Sequence, residues 1–180
     1  NVDYSSGSAV LSGKFNLQGV TPSNGGSAID FGTVTRTGGA DYTLPSNVST
    51  PNRDLDAFGK VATMSYGDAD MQPGTDYLWT VNLYQQALIR IDVAGSPTSV
   101  PSDVRQFILG SLPGYPSSST GELRPWALKF QNGKGYLGVI NDASNSNNQS
   151  DVEAFVLEFD PNNITAGFST VLNFDPNIKR

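Results

Sequence analysis

The sequence contains neither cysteine nor histidine among its 180 residues. Without cysteine, the chain cannot form a disulfide framework, a thiol nucleophile or a Cys-based metal site. Without histidine, it cannot supply a Ser-His-Asp triad or a His-ligated metal. Carboxylate and carbonyl oxygens remain, and they suit hard cations such as calcium.

Basic residues and long apolar runs are also scarce. There are 11 Lys and Arg residues against 17 Asp and Glu residues, a net charge of −6. A nucleic-acid surface and an anionic membrane surface both attract basic patches, so this balance disfavours both kinds of partner. No apolar run approaches the roughly 18 residues of a transmembrane helix, so we expect no membrane insertion.

The composition favours an all-β chain. Hydrophobic residues make up 37% and charged residues 16%, and both fractions are lower than in typical globular proteins. Turn-forming Gly, Ser, Thr, Asn and Pro fill the difference, a mixture typical of many short strands joined by many turns. The length predicts one unit over residues 1–180.

A hairpin over residues 77–93 is the clearest local pattern. Apolar and polar side chains alternate from Leu78 to Tyr84 and again from Leu88 to Val93, which is the period of a pleated strand. Gln85 and Gln86 interrupt the two runs and predict the turn. Similar segments predict strands at 14–20, 29–36, 58–66, 104–109, 123–130, 135–141, 152–160 and 168–174.

Two passes along the chain, 58–109 and 123–174, repeat the same order of four strands. Asn132-Gly133 is the strongest hairpin signal in the second pass. Four-stranded units with a period of tens of residues are typical of β-propeller blades. We therefore predict two blades, with part of a third in residues 1–36; a β-sandwich or jelly roll is the alternative. Because propellers close with about four to eight blades, we expect the rest of a longer chain, or other chains, to complete the core.

Three segments carry a resemblance to a known group of proteins: GDADMQPGTDYLWTVNLYQQALIRIDV, LRPWALKFQNGKGYLGVINDAS and AFVLEFDPN. In this order they resemble the propeller region of large bacterial surface proteins, often described as SdrD B-like or adhesin-like multidomain proteins. The resemblance covers roughly residues 54–175. It implies an extracellular, cell-wall or outer-surface location and no known enzymatic activity.

Acidic residues supply the candidate metal ligands. Asp68 and Asp70, with Asp76 close by, form the tightest cluster and are the first candidates for calcium. The alternative is that Asp68 and Asp70 cap a strand end and bind a turn. Asp142 and Asp151 flank a second oxygen-rich run, for which a solvated loop is the alternative.

Other side chains are open to a structural or a functional interpretation. Trp79 and Trp126 suit sugar stacking if exposed, but core packing is the prediction. Arg124 is predicted to form a structural ion pair with an acidic residue such as Asp142. Three glutamates are too far apart in sequence to indicate a glycosidase pair: Glu122, Glu153 and Glu158.

Three hypotheses about function follow. The first is a non-enzymatic extracellular or cell-surface propeller segment that acts as a scaffold, adhesion or binding module, with a glycan or a surface protein as its ligand. The second is a carbohydrate-binding β-sandwich. The third is a fragment of a hydrolase that uses carboxylates alone. Strand topology separates the first two, because a blade is an up-and-down meander and a jelly roll crosses between sheets.

Overall fold

The computed structural model describes residues 16–35, 55–94 and 103–176, together with residues 2–3, 10–11, 49 and 101. Ten strands, one short α-helix and three single-turn 3-10 helices lie within this part of the chain. The strands are β1 (Val2–Asp3), β2 (Val10–Leu11), β3 (Tyr66–Met71), β4 (Tyr77–Asn82), β5 (Ala87–Asp92), β6 (Val104–Ile108), β7 (Leu123–Gln131), β8 (Lys134–Asn141), β9 (Glu153–Phe159) and β10 (Phe168–Phe174). The helix is α1 (Leu55–Phe58), and the 3-10 turns span Leu109–Ser111, Gln149–Asp151 and Ile164–Ala166.

Two four-stranded antiparallel sheets contain eight of the ten described strands. Strands β3, β4, β5 and β6 form the first sheet in that spatial order, and β7, β8, β9 and β10 form the second sheet in the same way. Every pairing joins strands that are consecutive in the chain, so each sheet is an up-and-down meander. The all-β prediction is confirmed.

Both predicted hairpins are present. Strand β4 pairs with β5 from Tyr77↔Asp92 to Asn82↔Ala87, and the intervening turn contains Gln86 at a φ of 48°. Strand β7 pairs with β8 as far as Gln131↔Lys134. The two residues between them, Asn132 and Gly133, have φ values of 51° and 75°, the left-handed conformations that tight hairpins need.

The strand predicted at 58–66 is wrong. Helix α1 and a series of turns occupy residues 55–65, and the first strand of this pass is β3, which contains Asp68 and Asp70. Ala62 and Ser65 have φ values of 62° and 69°, which a continuous strand does not allow. Strand β3 thus begins only at Tyr66, the last residue of the predicted strand.

The two strands predicted near the N-terminus are also wrong within the described residues. Segments 16–20 and 29–35 are turns and irregular chain, and Gly19 and Gly32 have φ values of 79° and 73°. A side chain replaces part of the backbone pairing, because Gln18 Oε1 accepts the N–H of Phe31 at 2.9 Å. The partial third blade therefore lacks strands in 16–35, while β1 and β2 pair only with each other.

The first sheet lies between two hydrophobic clusters. One face packs on residues of the N-terminal segment; this smaller cluster contains Leu17, Ile29, Phe31, Ile89, Ile91 and Val104. The opposite face packs on the second sheet around Trp79, which is fully buried and has its ring centroid 5.8 Å from those of both Phe130 and Phe159. The core prediction for Trp79 is confirmed.

The core prediction for Trp126 is wrong, because its side chain is 47% exposed. The pairing of β7 with β8 shifts between Pro125 and Leu128. This bulge places two residues, Trp126 and Ala127, on the outer surface between buried neighbours. A bulge adds one residue to a strand and re-aims its side chains, which period-two counting does not anticipate.

Candidate functional site

Asp68 and Asp70 lie on β3 and connect the two sheets. Asp68 Oδ2 accepts the N–H of Leu128 at 3.1 Å, and Asp70 Oδ2 accepts the N–H of Phe130 at 2.9 Å. The other carboxylate oxygens accept the N–H groups of the next residues on β3, Ala69 at 2.8 Å and Met71 at 3.0 Å. Each side chain therefore satisfies one N–H group on the edge of β3 and one on the edge of β7.

The direction of these contacts fixes how the sheets are arranged. Both bridges join residues that are 60 positions apart in the sequence, so β3 and β7 run in the same direction. The first strands of the two meanders thus lie side by side, and carboxylates replace the direct backbone pairing between them. The two aspartates therefore join two sheets. The alternative interpretation of the sequence placed Asp68 and Asp70 at a strand end.

A cation supports one of the bridges. Lys129 Nζ lies 2.9 Å from Asp70 Oδ2. Partial burial by itself raises the pKa of Asp70, but hydrogen bonds from Phe130, Lys129 and Met71 outweigh burial and hold this pKa below its ordinary value. Asp70 is therefore ionised at neutral pH and accepts from its partners as a carboxylate.

The third predicted calcium ligand takes no part in the bridge between the sheets. Asp76 is exposed in the turn before β4, where its backbone carbonyl accepts the N–H of Val93. Among the described residues, no group of three or more acidic side chains is arranged to hold a metal ion. Calcium at Asp68 and Asp70 stays a prediction, and an ion there would compete with backbone N–H groups for the same oxygens.

Asp142 forms the predicted ion pair with Arg124, with 2.9 Å between Nε and Oδ2. The other oxygen accepts the N–H groups of Glu122 at 2.8 Å and Ser144 at 3.0 Å. Burial raises the pKa of Asp142, but these hydrogen bonds and the guanidinium lower it more, to about 2. Asp142 thus fastens the loop after β8 to the start of β7.

Asp151 lines a polar cleft of about 430 Å³ at one end of the second sheet. The cleft lies between the chain that leads into β7, the start of β9 and the chain that follows β10. Its lining carries hydroxyl, amide and carboxylate groups: Ser117, Ser118, Ser119, Thr120, Asn141, Ser150, Asp151, Val152, Glu153 and Asp175. These groups can donate to and accept from a hydroxyl-rich ligand.

The three glutamates considered for hydrolysis lie in different environments. Glu158 accepts the hydroxyl of Tyr136 at 3.0 Å and lies 3.7 Å from Lys134 Nζ, so it belongs to the outer face of the second sheet. Glu122 is exposed beside Arg124 and Asp142. Glu153 lines the cleft. The structure brings Glu153 close to Asp151 and separates it from Glu122 and Glu158.

Two buried asparagines were not assigned a role from the sequence. Asn82 and Asn141 end the second strands of their sheets and are 0% and 3% exposed. Asn82 donates to the carbonyl of Asp30 at 2.9 Å, and Asn141 donates to Thr120 Oγ1 at 2.8 Å. Each amide joins its sheet to the chain that precedes it. The recurrence of asparagine at equivalent strand ends is the feature of the sequence that could have identified them.

Gln85 connects the N-terminal segment to the first sheet. Its Oε1 accepts the N–H of Asp30 at 2.9 Å and side-chain amides of Asn82 at 3.0 Å and Gln106 at 2.9 Å. Its Nε2 donates to the carbonyl of Ala28 at 3.0 Å. The turn residue that interrupts the central hairpin is therefore a hydrogen-bonding centre.

Within the residues that the structure describes, no helix is long and apolar enough to cross a membrane. No protein-family model, curated protein or solved structure matches this chain.

Proposed function

We propose that this chain is a β-propeller segment of an extracellular or cell-surface protein and acts as a non-enzymatic scaffold, adhesion or binding module. The bridge from Asp68 and Asp70 to Leu128 and Phe130 carries the proposal. It sets the first strands of two meanders side by side in the same direction, as radial repetition of blades requires. The location and the adhesive role follow the sequence resemblance described above.

Equivalent contacts in the two sheets support a repeated unit. Tyr77 stands opposite Asp92 in the first sheet, and Tyr136 stands opposite Glu158 in the second. Asn82 and Asn141 end the corresponding strands and are both buried. Further units, in the same chain or in others, would cover the outer face of the second sheet, where Trp126 is half exposed.

The cleft beside Glu153 is the ligand site in this proposal. Its hydroxyl and amide groups suit the hydroxyl groups of a glycan, and its carboxylates are acceptors for the same groups. The side chains of Asp151 and Glu153 make no hydrogen bond or ion pair with other described residues, so their oxygens are available to a ligand. A glycan is therefore the ligand class that we propose for this cleft, rather than a surface protein.

Nuclear magnetic resonance tests the arrangement of the sheets. We expect Overhauser contacts between Asp68 and Leu128 and between Asp70 and Phe130 in the isolated chain. A sandwich whose sheets cross without aligned first strands would lack both contacts, and their absence would remove the propeller proposal.

A glycan panel tests the binding role. We expect the wild-type chain to bind at least one glycan in a panel of neutral, acidic and amino-sugar glycans. The Glu153→Gln variant is expected to bind that glycan more weakly. Glu122→Gln, an exposed residue outside the cleft, is the matched control and is expected to bind as the wild type does. No binding by the wild type, or equal loss in both variants, would remove the cleft as the ligand site. Cleavage of a bound glycan would favour the hydrolase hypothesis instead.

A further inference from the structure

The sequence places a glycine directly after an asparagine at two positions, Asn24-Gly25 and Asn132-Gly133. Such a pair is reactive in water, because the backbone nitrogen of the glycine can attack the side-chain amide carbon of the asparagine. Glycine has no side chain that hinders its own nitrogen. Both asparagines are exposed, so access of water does not distinguish the two pairs. The hydrogen bonds around each pair do distinguish them.

Hydrogen bonds hold both reacting groups of the first pair. Asn24 Nδ2 donates to the carbonyl of Gln106 at 2.9 Å, and Asn24 Oδ1 accepts the N–H of Gln106 at 3.1 Å. These two bonds fix the side-chain amide against the backbone of β6. The N–H of Gly25 donates to the carbonyl of Pro22 at 3.0 Å, so the proton that has to leave is held as well. Three hydrogen bonds therefore have to break before this pair can react.

The second pair is free of these restraints within the described part of the chain. It forms the whole connection between Gln131, the last residue of β7, and Lys134, the first residue of β8. The N–H of Gly133 makes no hydrogen bond with any described residue. Asn132 Oδ1 accepts from Gln131 Nε2 at a long distance of 3.4 Å. A donor at this oxygen draws electrons from the amide carbon, so it does not oppose attack there.

We propose that Asn132 is a site of spontaneous deamidation and that its hydrogen bonds protect Asn24 from the same reaction. Hydroxide removes the proton from the backbone nitrogen of Gly133, and this nitrogen attacks Cγ of Asn132. The new C–N bond closes a cyclic imide as the bond from Cγ to the side-chain nitrogen breaks. That nitrogen takes a proton from water and leaves as ammonia. Water then opens the ring at either carbonyl and gives aspartate or isoaspartate, and no group is oxidised or reduced.

The isoaspartate product alters the hairpin. Aspartate keeps the backbone at its normal length, whereas in isoaspartate the main chain runs through the side-chain carbons and gains a methylene group. The length of a hairpin connection sets the register of its strands, so the longer backbone opposes the pairing of Gln131 with Lys134. That register places Gly135 beneath the ring of Phe159. We therefore expect the second sheet to be less stable in the isoaspartate form.

Peptide mapping by mass spectrometry tests the proposal on the chain of 180 residues. The folded chain is incubated in mildly alkaline buffer, and the conversion of each asparagine to the acid is followed with time. We expect Asn132 to react about tenfold faster than Asn24 or more, because three hydrogen bonds protect Asn24. The same chain in concentrated urea is the control: neither pair keeps its hydrogen bonds there, and the two rates are expected to become similar.

A folded chain in which Asn132 does not react, or in which Asn24 reacts equally fast, overturns the proposal. The same ratio of rates in buffer and in urea also overturns it, because the selectivity would then come from the neighbouring sequence.

Thermal unfolding tests the effect on the hairpin. The isoaspartate form, separated from the incubated wild type by chromatography, is compared with freshly prepared Asn132→Asp. This variant has the added negative charge and a backbone of normal length. We expect the isoaspartate form to melt at the lower temperature, and equal melting temperatures would overturn the assigned effect.

Discussion

Asp70 shows how a side chain that looks like a metal ligand can complete a backbone network. Its carboxylate accepts two backbone N–H groups and a lysine ammonium, and Asp68 repeats the two backbone contacts one pleat away. A carboxylate on a strand edge is both a strong acceptor and a charge that discourages other strands from pairing. The paired aspartates therefore hold two sheets together and close both edges.

Asp70→Ala is expected to destabilise the fold by about 1–3 kcal/mol, because it leaves the N–H of Phe130 without its partner in a partly buried position. The measurement is the midpoint of urea unfolding. Asp76→Ala removes an exposed acidic side chain from the turn before β4 and is the matched control. Equal midpoints for the two variants would show that the bridge does not contribute to stability.

Calcium is expected to act at Asp68 and Asp70 if it acts anywhere in this chain, and thermal unfolding tests this prediction. A bound ion stabilises the native state by mass action, so the melting temperature should rise in excess calcium relative to chelator. The shift should disappear in Asp70→Ala. Identical melting temperatures with calcium and with chelator would end the calcium hypothesis.

The ionisation of Asp142 makes the free energy of unfolding depend on pH in the acid range. Its pKa is about 2 in the folded chain and about 3.9 in an unfolded one, so folding favours the ionised form. The stabilisation of the fold by ionised Asp142 is present in full above about pH 4 and is lost as the pH falls from about 4 to 2. We expect the Asp142→Asn variant to lose about 2 kcal/mol at neutral pH and to approach wild-type stability near pH 2.

Urea unfolding at a series of pH values checks this expectation. Asp151→Asn removes one negative charge from the same loop without removing an ion pair among the described residues, and it serves as the control. A difference between wild type and Asp142→Asn that stays constant from pH 7 to pH 2 would contradict the assigned cause.

Strands β7 and β8 show how turn chemistry sets the register of an element. Both residues of their connection have positive φ, and the pairing begins directly at Gln131↔Lys134. The register in turn places Gly135 beneath the ring of Phe159, where an added methyl group would clash with the ring. The hairpin therefore determines which residue can accommodate the aromatic side chain of β9.

Gly133→Ala is expected to destabilise the fold by about 1–2 kcal/mol, the cost of a side chain in left-handed backbone. No atom outside the turn lies within 4 Å of the added methyl group, so backbone conformation is the cause of the loss. Gly59→Ala, which is equally open and has no positive φ, is the control. Unfolding midpoints that fall by the same amount in both variants would contradict this cause.

The two sheets are held together by one aromatic cluster that they share. Trp79 of the first sheet contacts Phe130 and Phe159 of the second, and the same cluster includes Val81, Leu88, Leu137 and Leu157. Neither sheet can bury these side chains by itself. The two sheets should therefore gain and lose their structure together.

Phe130→Ala is expected to reduce stability by about 3–5 kcal/mol, because it leaves a cavity beneath Trp79. Amide hydrogen exchange should report equal loss of protection in β4 and β9, although the substitution lies in β7. Val61→Ala, at a site outside the cluster, is expected to change exchange in neither strand. Loss confined to β9 would show that the sheets unfold independently.

The sequence by itself determined the features that depend on neighbouring residues. The alternation of apolar side chains predicted β4 and β5, and Asn132-Gly133 predicted the β7–β8 hairpin, because pleat period and turn conformation are local properties. The ion pair of Arg124 with Asp142 was also foreseen. Local rules failed where distant chain segments supply the stabilising contacts.

Only the tertiary structure decided the roles of Asp68, Asp70 and Trp126. Strand β3 has one exposed and one partly buried aspartate where a pleat usually carries apolar residues, and it is stabilised by N–H groups 60 residues further along the chain. The bulge in β7 reversed the expected burial of Trp126. Hydrogen bonds between distant segments outweigh local preferences at these positions, since the partners of a strand edge come from whichever groups the fold brings beside it.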